Sequence, residues 1–197
     1  CSTPPPVDIS LEGNIIMAYI GFFPLTTEDV RRRQKARFSG WAEAASKIVY
    51  RPNHWVYAGA MGFPQVAMTK TIEDFHFLGQ NNCIGIFVDS VMEHWATRGP
   101  QYYLMAQLGW NPLQDGAAVL KDYYHRGFAS AADDIAAYWG KMEKESGDLG
   151  YRARIDEVVK NRFSDAFRAR AGERLDRAAA KVQDGPEVYR ERVAFVR

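Results

Sequence analysis

Apolar positions follow two kinds of pattern: short unbroken runs near the front of the chain, and stripes spaced three and four apart behind them. The run Asn14-Ile15-Ile16-Met17-Ala18-Tyr19-Ile20 follows the turn Glu12-Gly13-Asn14 and reads as a buried strand. Lys47 to Arg51, stopped by Pro52, and Cys83 to Val88, entered through Asn81-Asn82, read as two more. Between them the pattern predicts helices. One is capped by Thr26 or Thr27 and runs to residue 46, with Val30, Phe38, Trp41 and Ala45 among its apolar contacts. Another covers residues 72–80 behind Thr69 or Thr71, and a third covers residues 100–110. Three strand–helix units in succession predict an α/β fold of parallel strands with right-handed helical crossovers. The order fits a doubly wound sheet or the C-terminal part of a (β/α)8 TIM-type barrel. A complete barrel needs about 250 residues, so three units are only part of one.

Behind Asn111-Pro112 the pattern becomes helical throughout, so residues 1–112 divide from an α-helical region over 113–197. Asp115 is placed to cap a helix over 116–126 that Gly127 closes. Ser130-Ala131-Ala132-Asp133 has the form of a capping box opening a helix over 131–145, with Ile135, Trp139 and Met142 on one face. Past the turn cluster Ser146 to Gly150, a stripe from Ile155 through Val158, Val159 and Phe163 to Phe167 predicts more helix. A second stripe holds Leu175, Ala178, Ala179 and Val182. Gly185-Pro186 breaks it, and a last helix begins near Glu187.

Charge narrows the partners. The net charge of the 197 residues is +1, which gives no general reason to expect nucleic acid. Residues 151–197 carry 12 Lys and Arg against 8 Asp and Glu, interspersed as on a solvated helix face. The basic run Arg31-Arg32-Arg33-Gln34-Lys35-Ala36-Arg37 lies on one helix and also reads as solvated. No apolar run is long enough to span a bilayer. Two cysteines, Cys1 and Cys83, make neither a disulfide framework nor a metal-ligand spacing. No cofactor motif is present, because Gly59-Ala60-Met61-Gly62 lacks the lysine and spacing of a phosphate loop. The chain opens on Cys1 without a targeting segment and stops in the apolar stretch Val193 to Val196. It reads as a piece of a larger protein, or as a mature chain after signal-peptide removal.

In parallel α/β folds ligands gather at the carboxyl ends of the strands. After the second predicted strand come Arg51, Asn53, His54 and Trp55, opening a connection of about 19 residues, beyond the length usual for a structural loop. After the third come Asp89, Glu93, His94 and Trp95. Asp89 ends an apolar strand where a carboxylate serves as acid, base, nucleophile or holder of a sugar hydroxyl; the alternative is a helix-capping aspartate. Glu93 is its candidate partner, or a surface glutamate. His54 and His94 are candidate donors to substrate hydroxyls, and Trp55 and Trp95 are candidate platforms for a sugar ring, whereas Trp41, Trp110 and Trp139 sit in helical stripes as core. Arg51 closes a buried strand and needs an acidic partner, either Asp89 or a substrate acid; the equal alternative is a purely structural ion pair. His54, Asp89 and His94 match no zinc signature, so no metal is expected.

Several segments together resemble a known family. They are Tyr50-Arg51-Pro52-Asn53, Asp74-Phe75-His76-Phe77-Leu78, Gly85-Ile86-Phe87-Val88-Asp89, the long block His94 to Pro112 with Tyr103-Leu104-Met105-Ala106-Gln107-Leu108 at its centre, and Asp122-Tyr123-Tyr124-His125-Arg126-Gly127-Phe128. They resemble a bacterial domain-of-unknown-function family found in large proteins that look like glycoside hydrolases, with a barrel similar to those of alpha-glucuronidases and hexosaminidases. The resemblance implies that the three strands are the sixth to eighth of a barrel and that strands one to five lie outside this sequence. It implies a carbohydrate substrate and barrel-mouth positions for Arg51, Asn53, His54, Asp89 and His94. The compartment stays open, with a secreted, periplasmic or lipid-anchored parent protein as the expectation. The alternatives are a non-catalytic sugar-binding barrel and a helical interaction module.

Overall fold

The computed structural model describes residues 3–6, 8–25, 27–52, 65–88, 94–149 and 154–197. Three short strands, β1 (Met17–Ile20), β2 (Ile48–Arg51) and β3 (Cys83–Ile86), form a parallel sheet in the order β1-β2-β3. Met17 pairs with Ile48 and Tyr19 with Tyr50; β2 pairs with β3 through an irregularity between Ile48 and Val49. Helix α1 (Glu28–Ala44) links β1 to β2, and α2 (Met68–Gly79) precedes β3. Then come α3 (Trp95–Trp110), α4 (Gly116–Phe128), a 3-10 turn (Ala129–Ala131), α5 (Ala132–Ser146), α6 (Ile155–Asn161), α7 (Asp165–Val182) and α8 (Glu187–Val196). The described chain is thus mixed α/β and mostly helical.

The strand alternation decides what the sheet covers. Tyr19, Ile48 and Tyr50 point to one face and are buried with Phe23, Phe38, Ala42 and Leu78 from the flanking loop and helices. The rings of Phe23 and Tyr50 stack with centres 5.2 Å apart, and Phe38 meets both edge-on. On the opposite face Ile16, Ile20, Ile84 and Phe87 remain 48% to 59% exposed. Parallel sheets normally bury both faces. Here one apolar face is bare, and β1 and β3 have open edges among the described residues.

The second core joins the helices. Leu104 and Leu108 of α3, Phe128 of α4, Ile135, Trp139 and Met142 of α5, and Leu175 and Val182 of α7 are all buried in it. Helix α2 serves both cores, giving Phe75 to the helical one and Leu78 to the sheet side.

Local signals and tertiary contacts divide the helix ends between them. Asp115 caps α4 by accepting from the Ala117 and Ala118 amides at 2.9 and 3.1 Å. Helix α2 starts at Met68, earlier than its threonines suggest, because distant side chains cap it. Gln101 Oε1 accepts from the Ala67 amide at 2.9 Å, and Glu143 Oε1 accepts from the Thr69 amide at 2.7 Å. Just before it, the Val66 amide donates to Ser146 Oγ and Gln65 Nε2 donates to the Leu149 carbonyl. Helix α3 starts at Trp95 and carries the buried Pro100 inside it. The proposed capping box at Ser130 is not formed: Ser130 Oγ donates instead to the Lys181 carbonyl at 2.9 Å, and a 3-10 turn precedes α5. The Ile155 to Phe167 stripe is broken in two, because Ser164 caps α7 by accepting from the Phe167 amide.

Asp134 of α5 ties that helix to α7. Its carboxylate lies 2.7 Å from Lys181 Nζ and 3.4 Å from Arg177 Nε, and the lysine hydrogen bond is the main cause of its lowered pKa. A carboxyl lowered on folding contributes stability above its unfolded pKa, and that contribution is lost as pH falls through the folded value. Asp134→Asn should therefore cost about 0.5–1 kcal/mol at pH 7, reduced by the exposure of both cations. The gap from the parent chain should close in acid below the usual carboxylate range. Urea unfolding of both proteins at pH 7 and in acid checks this; a gap of equal size at both pH values would refute it.

Candidate functional site

At the carboxyl ends of the strands, β1 runs into Gly21 to Leu25, β2 into Pro52 and β3 into Phe87 and Val88. Asn53, His54, Trp55, Asp89 and Glu93 lie outside the described residues. Arg51, the last residue of β2, falls on the bare face in the alternation that buries Tyr50. Its guanidinium carbon stands 5.6 Å from the Phe87 ring centre, within reach of a cation–π contact. A cation and an aromatic ring are therefore held together at the carboxyl end of the uncovered face.

Behind the sheet, on its helix side, a small cavity of about 50 Å³ separates the strand ends from α2 and α3. Phe23, Tyr50 and Phe75 form its apolar walls, and Gln65, Arg98 and Gln101 its buried polar ones. These polar groups have structural duties. Gln101 caps α2 and also donates to Thr71 Oγ1. Arg98 and Tyr102 are hydrogen-bonded, and burial lowers the arginine and raises the phenol. Gln65 Oε1 accepts no hydrogen bond among the described residues. The space suits one or two ordered waters and is too small for a sugar ring.

Beside this cavity Arg31 contradicts the reading of its basic run as a solvated face. Its side chain is buried and forms a fork on Asp74, with Nη1 3.0 Å from Oδ2 and Nη2 on Oδ1. It also donates to the Phe23 and Lys70 carbonyls at 3.5 and 3.3 Å. Lys35, one helical turn on, places Nζ 2.9 Å from Asp74 Oδ1 and lies over the Phe23 and Phe77 rings. Burial pushes the Asp74 carboxyl up, against the opposing pull of Arg31 and Lys35. Lys70 in turn binds the Leu25 carbonyl. The cluster fixes the loop after β1, so its work is positional. The i, i+4 spacing of Arg31 and Lys35 was the available signal, but their partner lies about forty residues away.

The remaining candidates lie on the helical side. His94 is half-buried at the start of α3, where its carbonyl accepts from the Thr97 amide and hydroxyl. Trp95 packs edge-on against Tyr102, with ring centres 5.2 Å apart, and is 48% exposed. It lines a groove of about 400 Å³ between α3, α4 and α8. Trp139 is core as expected, but Trp110 is not: it is 92% exposed at the end of α3, beside the open edge of β3. Its stripe position faces a side that no described element covers. Cys83 is held at 3.2 Å from the Gly85 carbonyl, and burial raises its thiol, which opposes a nucleophilic role. Among the described residues no cluster of His, Cys, Asp or Glu is arranged to hold a metal ion. No helix there is long and apolar enough to cross a membrane.

The family model for a domain of unknown function, DUF4838, matches residues 1–140. The chain belongs to the DUF4838 family. The matched span takes in the whole sheet and helices α1 to α4 and ends inside α5. No curated protein and no solved structure matches this DUF4838 chain.

Proposed function

We propose that this DUF4838 chain is the C-terminal part of a (β/α)8-type barrel in a carbohydrate-active protein, a glycoside hydrolase in which Asp89 is a catalytic or substrate-holding carboxylate. The observation that carries this reading is the one-sided sheet. Among the described residues, three parallel strands run in sequential order, with helices over one face and no element over the apolar face opposite. In a closed barrel that second face is the interior, and its carboxyl end is the ligand-binding mouth. Arg51 stands at the carboxyl end of the uncovered face, beside an aromatic ring, which supports this reading. Further strands pairing with the open edges of β1 and β3 would complete the ring.

The test is to express the longer natural protein with and without Asp89→Asn and to screen glycosides, uronosides included. A catalytic Asp89 should lose about 10²–10⁴-fold in turnover when neutralised. Full hydrolysis in the variant removes Asp89 from the mechanism. A second reading, a sugar-binding barrel without catalysis, is favoured by Asp74, a carboxylate near the strand ends already held by Arg31 and Lys35. Oligosaccharide binding without hydrolysis in the parent would select it.

A further inference from the structure

Trp95 lines a groove between α3, α4 and α8. Its volume of about 400 Å³ falls in the range of small-molecule sites. Three helices contribute aromatic rings: Trp95 and Tyr103 from α3, Tyr123 from α4 and Phe195 from α8. Trp95 and Phe195 are 48% and 59% exposed. Two guanidinium groups, Arg126 and Arg192, complete the lining.

These polar groups are held in place. Asp122 accepts from the Tyr103 hydroxyl at 3.1 Å and from Arg126 Nε at 2.6 Å. Arg192 Nη1 donates to the Arg126 and Gly127 carbonyls at 3.2 and 3.3 Å, in the last turn of α4. That contact uses one nitrogen of the fork. Among the described residues, Arg192 Nε and Nη2 make no hydrogen bond. Two cations face one carboxylate, so the groove carries a net positive charge beside flat apolar surfaces. Aromatic faces suit a ring, and a guanidinium fork suits an oxyanion.

We propose that the groove between α3, α4 and α8 binds a ring-shaped ligand carrying a carboxylate or similar oxyanion. The ring stacks on Trp95 or Phe195, and the anion meets Arg192 and Arg126. This site is separate from the strand ends and does not depend on the barrel reading.

The 197-residue chain is titrated with benzoate and with D-glucuronate, and with their neutral counterparts benzamide and methyl glucoside, while protein chemical shifts are followed. At least one anion should saturate with a Kd of about 1 mM or tighter, and its neutral counterpart should bind about tenfold more weakly or not at all. Binding of benzoate alone assigns an aromatic acid, and of glucuronate alone a sugar acid. Arg192→Ala should weaken the anion about tenfold. Arg126→Ala, whose side chain is 82% exposed, is the second variant and should weaken it several-fold while melting like the parent. No saturation by either anion, equal binding of the neutral compounds, equal competition by inorganic sulfate, or unchanged affinity in both arginine variants would overturn the proposal.

Discussion

Asp74→Ala should destabilise the fold by about 3–5 kcal/mol, the cost of breaking a buried ion pair from one side. Only 3% of the Arg31 side chain is exposed, so the guanidinium would be left buried without its carboxylate. Without Asp74 it keeps two backbone carbonyls and Glu73, which stands 3.5 Å away and is 57% exposed. Lys35 loses its carboxylate in the same step. The loss should show as a lower urea midpoint. Arg31→Met combined with Asp74→Leu should recover most of it, since packed apolar groups replace buried pairs at little cost. A single-variant loss under about 1 kcal/mol would mean that water reaches Arg31.

Trp139→Ala should cost about as much, 3–5 kcal/mol, by a different route. The side chain is fully buried in α5, edge-on to Tyr138 with ring centres 5.1 Å apart, and removing it leaves a cavity in the helical core. Its indole Nε1 has no acceptor among the described residues, so the ring contributes packing and no hydrogen bond. Trp139→Phe should therefore lose less than half as much, with the difference read from unfolding midpoints at a shared slope. Equal losses for Ala and Phe would show that the nitrogen matters.

What the sequence made legible was local. The three strands were bounded by turn residues and by Pro52, and each was found within two or three residues. Asp115 announced the start of α4 because its partners are two and three residues away. The early start of α2 was not legible, because Gln101 and Glu143 supply its cap from α3 and α5. Arg31 looked like its solvated neighbours because only the docking of α1 on α2 removes it from water. Trp110 shows the converse: a residue in an apolar stripe is core only if something packs against it. At the candidate site, Arg51 was singled out by its place at a strand end, whereas the Arg126–Asp122–Arg192 grouping draws on two helices about seventy residues apart.

The straps from residues 65–69 to 143–149 bear on where this domain ends. The family match stops at residue 140, yet Glu143, Ser146 and Leu149 each hold a backbone or amide group of the segment leading into α2. A chain ended at 140 would leave the Thr69 and Val66 amides and the Gln65 side chain without acceptors, next to the strand-end cavity. The boundary seen by sequence comparison is thus shorter than the boundary of mechanical self-sufficiency. Any dissection of the protein should keep the last turn of α5 and Leu149 with the sheet.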